Sequence, residues 1–202
     1  MTNPLLSGAD LPCYAAIRPE HVEPAIDQVL ADNRVVLERL LVAHDIYTWD
    51  NLIQPLEELE DRLNKAWSPA NHLHSVRDSE DLRAAYNACL PKLSAYYTEL
   101  GQHEGLYRAY RQIADGSEYA RLDPAQHKVI DNALRDFRLS GIALPVASRD
   151  RYKAIMQELA QLGAKFSENA LDATQGWTYH LDDEAQLVGL PESAKALARQ
   201  TA

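Results

Sequence analysis

Among the side chains of this 202-residue sequence, its seven histidines come nearest to a catalytic pattern, at the pair His103-Glu104. A hydrolytic zinc site on a helix takes the form His-Glu-x-x-His. Two imidazoles one turn apart bind the metal, and the glutamate takes a proton from the metal-bound water. The residue four beyond His103 is Tyr107, which cannot complete such a site, so His103 reads as a capping or surface histidine. His72 and His74 lie two apart, a spacing that points both rings one way only on a strand. Their segment reads as a loop following a helix, where polar loop residues are the expectation. His21, His44, His127 and His180 are isolated along the chain.

Other chemistries find no better footing. The sequence holds no Gly-x-Ser-x-Gly elbow, no phosphate-cradling glycine loop and no dinucleotide fingerprint. A di-iron site on facing helices needs Glu-x-x-His, which does not occur. The acidic run Glu57, Glu58, Glu60 and Asp61 has no histidine pattern beside it and reads as a solvated helix face. Tyr86, Tyr96, Tyr97, Tyr107, Tyr110 and Tyr119 could line a peptide-binding wall, though core positions with an edge reaching water are the simpler reading. Cys13 and Cys89 lie far apart with no Cys-x-x-Cys partner and read as reduced structural thiols. The expected set of catalytic, cofactor-binding and metal-ligating residues is therefore none.

The elements that carry these residues are helical. From Pro19 to about Ala43, Ile26, Val29, Leu30, Leu37, Leu40 and Leu41 recur at three- and four-residue steps and share a face. Thr48 is a natural N-cap for a second helix, with Leu52, Leu56, Leu59 and Leu63 leading to Trp67 and a break at Ser68-Pro69. Ser79 with Glu80 and Asp81 starts a third, whose apolar phase survives Pro91, predicting a kink and not an end. Gly101 and Gly105 predict a break, followed by a shorter helix over about 106–114 that stops at Asp115-Gly116. Asp123-Pro124 is a cap followed by proline at the first helical position, and Gly141 suits the far end. Between them Val129, Ile130, Ala133, Leu134 and Phe137 form a buried stripe. Ser148 is placed to cap the longest helix, on which Tyr152, Ile155, Met156, Leu159, Leu162 and Phe166 hold one face. Beyond Gly176 the run Trp177 to Leu181 alternates and is rich in β-formers. An acidic turn at Asp182, Asp183 and Glu184 follows, and Pro191-Glu192-Ser193 opens a final helix, expected from Ala194 to Ala202.

Composition narrows the function classes. With 46% hydrophobic and 25% charged residues the chain has the make-up of a globular protein. A net charge of −10 would repel a phosphate backbone, which argues against nucleic-acid binding. No apolar run approaches the roughly 20 residues needed to span a bilayer, and the first residues lack the basic and apolar regions of a signal peptide. These features together point to the cytoplasm.

Several segments carry a family resemblance. Asn3-Pro4-Leu5-Leu6 precedes Ile17-Arg18-Pro19-Glu20-His21-Val22; Tyr47-Thr48-Trp49 precedes Gln54-Pro55-Leu56; then comes Gly101-Gln102-His103-Glu104-Gly105-Leu106-Tyr107. The most specific pieces are Asp131-Asn132-Ala133-Leu134-Arg135-Asp136-Phe137 with Leu139-Ser140-Gly141, and Leu171-Asp172-Ala173-Thr174 with Gly176-Trp177. In this order and spacing, over nearly the whole chain, they resemble the N-terminal region of the thimet oligopeptidase family of zinc metallopeptidases. The resemblance implies a cytoplasmic enzyme that cuts short peptides with one zinc ion. It implies a helical body split around a deep channel, whose narrow entrance admits oligopeptides and excludes folded proteins. The family's His-Glu-x-x-His helix and third, glutamate ligand belong to the later part of its chain, so no position here inherits them.

The expected fold is all-α, an extended antiparallel helical array with a short strand or extended arm near 177–190. Residues 1–176 are expected to form an N-terminal helical domain, the channel wall of the parent peptidase, and 177–202 an arm and helix start leading into a missing catalytic part. The chain is expected to be inactive alone and to hold no cofactor, with one zinc ion in the full-length parent. Its partners would be the catalytic half of the same polypeptide and, for the parent, short peptide substrates; neither nucleic acid nor membrane is expected. Helix faces left bare would favour self-association. The alternative reading is a stand-alone helical interaction or regulatory module without peptidase activity.

Overall fold

Helix α1, Pro19–Ala43, organises the structure because its apolar positions fall on one face over 25 residues. Proline at the first helical position costs no hydrogen bond there, and the Arg18 N–H donates to Nδ1 of His21 at 3.1 Å to close the first turn. Val22, Ile26 and Val29 are fully buried, and Leu37 continues the same face two turns further on. The computed structural model describes residues 3–8, 11–181 and 183–201. Among them the chain is all-α, with seven α-helices and no strand.

Two compact units divide the chain, Met1–Leu162 and Gly163–Ala202. In the first, α1 packs on α2 (Gln54–Val76) and α3 (Glu80–Gly101) through a core that includes Val22, Ile26, Val29, Leu63, Ala66 and Cys89. A second core joins Leu37 to Leu52, Ile53, Ile113, Ile130 and Phe137, drawing in α4 (Glu104–Asp115) and α5 (Pro124–Leu139). Ion pairs strap the outer edges: Arg62 to Asp32 at 2.6 Å, Arg34 to Glu99 at 2.8 Å, and Lys92 to Asp27 at 2.6 Å. These pairs are half exposed, so each fixes orientation more than it adds stability. The Arg62 hydrogen bond holds the Asp32 carboxyl below its ordinary range.

Most helix ends follow the sequence. Thr48 accepts the N–H of Asn51 at 3.2 Å and caps a wide turn, Trp49–Ile53, that runs into α2. Ser79 accepts the N–H of Leu82 to cap α3, which continues unbroken through Pro91. Asp123 and Gln126 exchange side-chain bonds at the start of α5. At its end Gly141, with φ +83°, lets Ile142 donate back to the Phe137 carbonyl and Gly141 to that of Arg138.

Two expectations of helix ends fail. Pro69 does not end α2, which continues to Val76. A proline inside a helix costs about 3 kcal/mol, and buried contacts offset it: Pro69 and Ala70 are both enclosed, and the His74 ring stacks on Tyr86 with centroids 4.0 Å apart. Ser148 does not cap the longest helix. That helix, α6, spans Val146–Gln175, and the Ser148 and Arg149 N–H groups donate to the carbonyl of Pro145, so Ser148 lies inside the first turn. Arg149 secures this start by donating to the carbonyls of Leu144 at 2.9 Å and Ile142 at 2.8 Å. Of the two forms expected near 177–190, a short strand or an extended arm, residues 177–181 form no strand, and among the described residues no second strand is present to supply backbone partners.

In the second unit the rings of Trp177 and Tyr179 stack at 6.2 Å, and Asp183 caps a short turn, Glu184–Leu187, by accepting the Ala185 N–H. Helix α7, Glu192–Thr201, starts two residues before its expected position. Asp182 of the expected acidic turn and Ala202 of the expected final helix lie outside the described residues. Among the described residues no helix is long and apolar enough to cross a membrane.

The burial pattern sets a contrast that urea denaturation followed by circular dichroism can read. Ile26→Ala, at a fully buried site, should cost about 2–5 kcal/mol. Phe166→Ser, on a side chain 75% exposed, should change stability by less than about 0.5 kcal/mol.

Candidate functional site

Every histidine singled out in the sequence is found in a structural setting, and no two of them meet. His103 is the N-cap of α4: its Nδ1 accepts the Leu106 N–H at 3.0 Å. The proton therefore sits on Nε2, which faces Glu38 at 3.2 Å. Glu104 begins α4 and pairs with Arg149 at 3.1 Å. Tyr107 turns inward, its ring meeting Phe137 edge-on at 5.6 Å.

His72 and His74 lie on α2, not in a loop, and at two residues apart they leave the helix in different directions. His72 tilts against Tyr14 at 5.4 Å. His74 sits in a stack with Tyr86, which in turn stacks on Trp67 at 4.8 Å, and its Nε2 lies 3.9 Å from Asp78. Asp78 is also bound by Arg83, which ties the α2–α3 turn. His127 stacks on Tyr119 and engages its carbonyl at 2.6 Å. His21 serves the first turn of α1, His44 follows its last residue, and His180 is exposed after α6.

The donor set does not fit a zinc ion. Among the described residues no three of histidine, cysteine, aspartate or glutamate gather closely enough to hold a metal. Cys89, on α3, is buried in the first core, and burial pushes its thiol up to about 12, which removes thiolate character at neutral pH.

What the structure offers instead is a set of tyrosine-lined recesses. Tyr96 and Tyr97 are sequence neighbours on α3, where consecutive residues point about 100° apart. Tyr96 accordingly enters the core at 3% exposure, while Tyr97 is 44% exposed and donates to Glu60 at 3.0 Å. Burial, then the nearby charge of Glu60, raises the Tyr97 phenol above its ordinary range. Around Tyr97 a cavity of about 430 Å³ is lined by Trp67, Leu93, Tyr152, Met156 and Leu159. Smaller cavities open beside Tyr110. Periodicity separates buried from exposed tyrosines, but it does not reveal which helices leave space between them.

The chain matches the neurolysin/thimet oligopeptidase N-terminal domain over residues 26–149. It belongs to that family. Over all 202 residues it is 52% identical to oligopeptidase A of Salmonella typhimurium and 52% identical to oligopeptidase A of Escherichia coli. It is 36% identical over 201 residues to a probable cytosolic oligopeptidase A of Arabidopsis thaliana, covering 100% of this chain and 28% of that protein. The whole of this chain is covered in both bacterial matches, yet it spans 30% of their length. The resemblance read from sequence to the N-terminal region of this family is thus confirmed, and oligopeptidase A is the member type it is similar to.

The thiols supply a direct check on the core. Cys13 is exposed and Cys89 buried, so a disulfide-exchange reagent should modify one thiol in the native chain and both in denaturant. The raised Cys89 pKa also fixes a sign. The unfolded thiol deprotonates near its ordinary value of 9.0 while the folded one stays protonated to about 12. Its contribution is therefore constant below pH 9 and is lost as pH rises from 9 toward 12. Cys89→Ala should flatten the alkaline fall in stability measured by denaturation across that window.

Proposed function

We propose that this chain is the non-catalytic N-terminal portion of a cytoplasmic zinc oligopeptidase that hydrolyses short peptides, forming part of the wall of its substrate channel and size filter. The observation that carries the reading is the match over the whole chain to oligopeptidase A, of which it spans 30%, with the family's N-terminal domain recognised over residues 26–149. Residues 1–176 act as the wall and 177–202 lead toward the part that supplies the His-Glu-x-x-His helix and the single zinc ion. The chain itself then needs only shape, and His21, His72, His74, His103 and His127 serve helix starts and ring contacts.

Helix α6 supports this role. Among the described residues none of its side chains is buried, although Ile155, Leu159, Leu162 and Phe166 recur along one face at 38%, 55%, 55% and 75% exposure. An apolar stripe of this length on a helix is a surface to be covered. The catalytic half of the same polypeptide is its proposed cover. Without it, the stripe drives self-association, which sedimentation at rising concentration and binding of a hydrophobic dye should both report. A monomer that binds no dye at high concentration speaks against the stripe's role.

Two further measurements test the function. The purified chain should hold no stoichiometric zinc and cleave no quenched-fluorescent peptide; chelator-sensitive cleavage by the chain alone would end the wall reading. In the full-length peptidase, narrowing the Tyr97 recess with Ser94→Trp should shorten the longest peptide cleaved. An unaltered length preference would remove the size-filter role.

A further inference from the structure

Two cavities in the first unit meet at Tyr110. The larger, about 330 Å³, is bounded by Tyr97, Phe137 and Ser140. The smaller, about 160 Å³, is bounded by Leu56, Glu57, Leu59, Glu60 and Tyr96. Leu100, Leu106 and Tyr110 line both. The floor is apolar, and the charges at the smaller end are of one sign. Glu60 accepts only from neutral donors, the Tyr97 hydroxyl at 3.0 Å and the Asn64 amide at 3.3 Å. Glu57 is exposed, and among the described residues no ion pair or hydrogen bond engages it. Asp136, on the larger cavity, is neutralised by Arg135 at 2.9 Å. Negative charge is thus left unbalanced only at the end held by Glu57 and Glu60.

Tyr110 adds an independent observation. The residue is 7% exposed, yet among the described residues its hydroxyl has no hydrogen-bond partner, although it lines both spaces. Burial first, then the charge of Glu57, raises its phenol above the ordinary range, so it remains a proton donor at neutral pH. The ring is enclosed while the hydroxyl opens on the cavities it lines, so a ligand carbonyl that reaches it meets a donor with no competing protein acceptor.

We propose that this double cavity receives a lysine or arginine side chain of a peptide in the channel. The alkyl stem lies on Leu56, Leu59, Leu100 and Leu106, the cation sits at Glu57 and Glu60, and a peptide carbonyl accepts from Tyr110. This rests on the reading of the chain as a channel wall. The chemistry selects the occupant: an anion is repelled, a short aliphatic group leaves the carboxylates unused, and only a long cationic side chain satisfies both floor and rim. A cavity of about 160 Å³ admits one side chain and no helix.

The test titrates the 202-residue chain with two capped pentapeptides, Ala-Ala-Arg-Ala-Ala and its Gln counterpart, followed by calorimetry and by side-chain NMR of Leu106 and Tyr110. The Arg peptide should bind about fivefold more tightly than the Gln peptide, as expected for half-exposed charges, and the preference should shrink as salt is raised. Glu57→Gln with Glu60→Gln should abolish the preference without changing the circular dichroism of the fold. Tyr110→Phe should weaken both peptides alike. Equal binding of the two peptides, binding that ignores the carboxylate substitutions, or shifts mapping away from Tyr110 would overturn the proposal, as would no binding at millimolar peptide. Salt-sensitive dimerisation that the same substitutions abolish, with no peptide bound, would give the cavity to a second copy and overturn it too. In the full-length peptidase the paired substitutions should raise KM for the Arg peptide alone and leave kcat unchanged. An equal rise for both peptides would assign the cavity to the enzyme's own remainder and overturn the proposal. None of these failures touches the wall reading, which falls only to the activity and length tests.

Discussion

One long helix face carries the first unit. Helix α1 buries Val22, Ile26 and Val29 in one core and Leu37 in another, so the positions of α2, α3, α4 and α5 are all referred to a single axis. Where the cores meet, Asn33 is fully buried and donates its amide to the Leu59 carbonyl at 3.1 Å and to the Tyr96 hydroxyl at 3.4 Å. Its Oδ1 has no partner among the described residues, so only the two amide bonds offset the cost of burying it, and they can form in only one register of α1 against α2 and α3. Leu100 packs on both cores from the end of α3, which closes the seam. Shifting α1 by one residue would place Asn33 against hydrocarbon and turn Ile26 toward water. The register of the whole bundle follows from that constraint.

The sequence disclosed what is governed by local chemistry. Caps at Ser79, Asp123 and Thr48, the positive-φ glycine at 141, and the stop near Gly116 all depend on groups within a few residues of each other. Pro69 was misread because its cost is local while its compensation is not: Tyr86, which stacks on His74 and Trp67, belongs to the next helix. Ser148 was misread for a related reason, since the proline at 145 supplies the accepting carbonyl that a capping serine would otherwise complement. The alternating run at 177–181 had the composition of a strand but no partner strand, and alternation alone cannot make a sheet.

For the site, the sequence disclosed the missing zinc pattern but not the space between elements. That Tyr107 stands where a second imidazole would be needed is readable directly from spacing. That Tyr96 is enclosed while Tyr97 reaches a cavity is readable only in part. Helical phase separates the two rings, yet the recess beside Tyr97 exists because side chains of α3 and α6 line a space that they do not fill. The apolar stripe on α6 shows the same limit from the other side. Its periodicity is that of a buried face, and nothing in the spacing of Ile155, Leu159 and Phe166 distinguishes a covered stripe from a bare one.

The distribution of charge ties the fold to its proposed use. With 30 acidic and 20 basic side chains, some carboxylates must be left without cations, and their placement is informative. Asp27, Asp32 and Glu99 are drawn into straps between helices, where a cation on the neighbouring element fixes orientation. Glu57 and Glu60 lie on α2 and take part in none of these straps, and they share a recess with Tyr110, whose hydroxyl has no protein partner among the described residues. A surface selected only for stability would place a cation beside these carboxylates, at no cost to the cores. Retaining acid, unpaired donor and open space together at one recess is consistent with a wall that is read by a passing ligand.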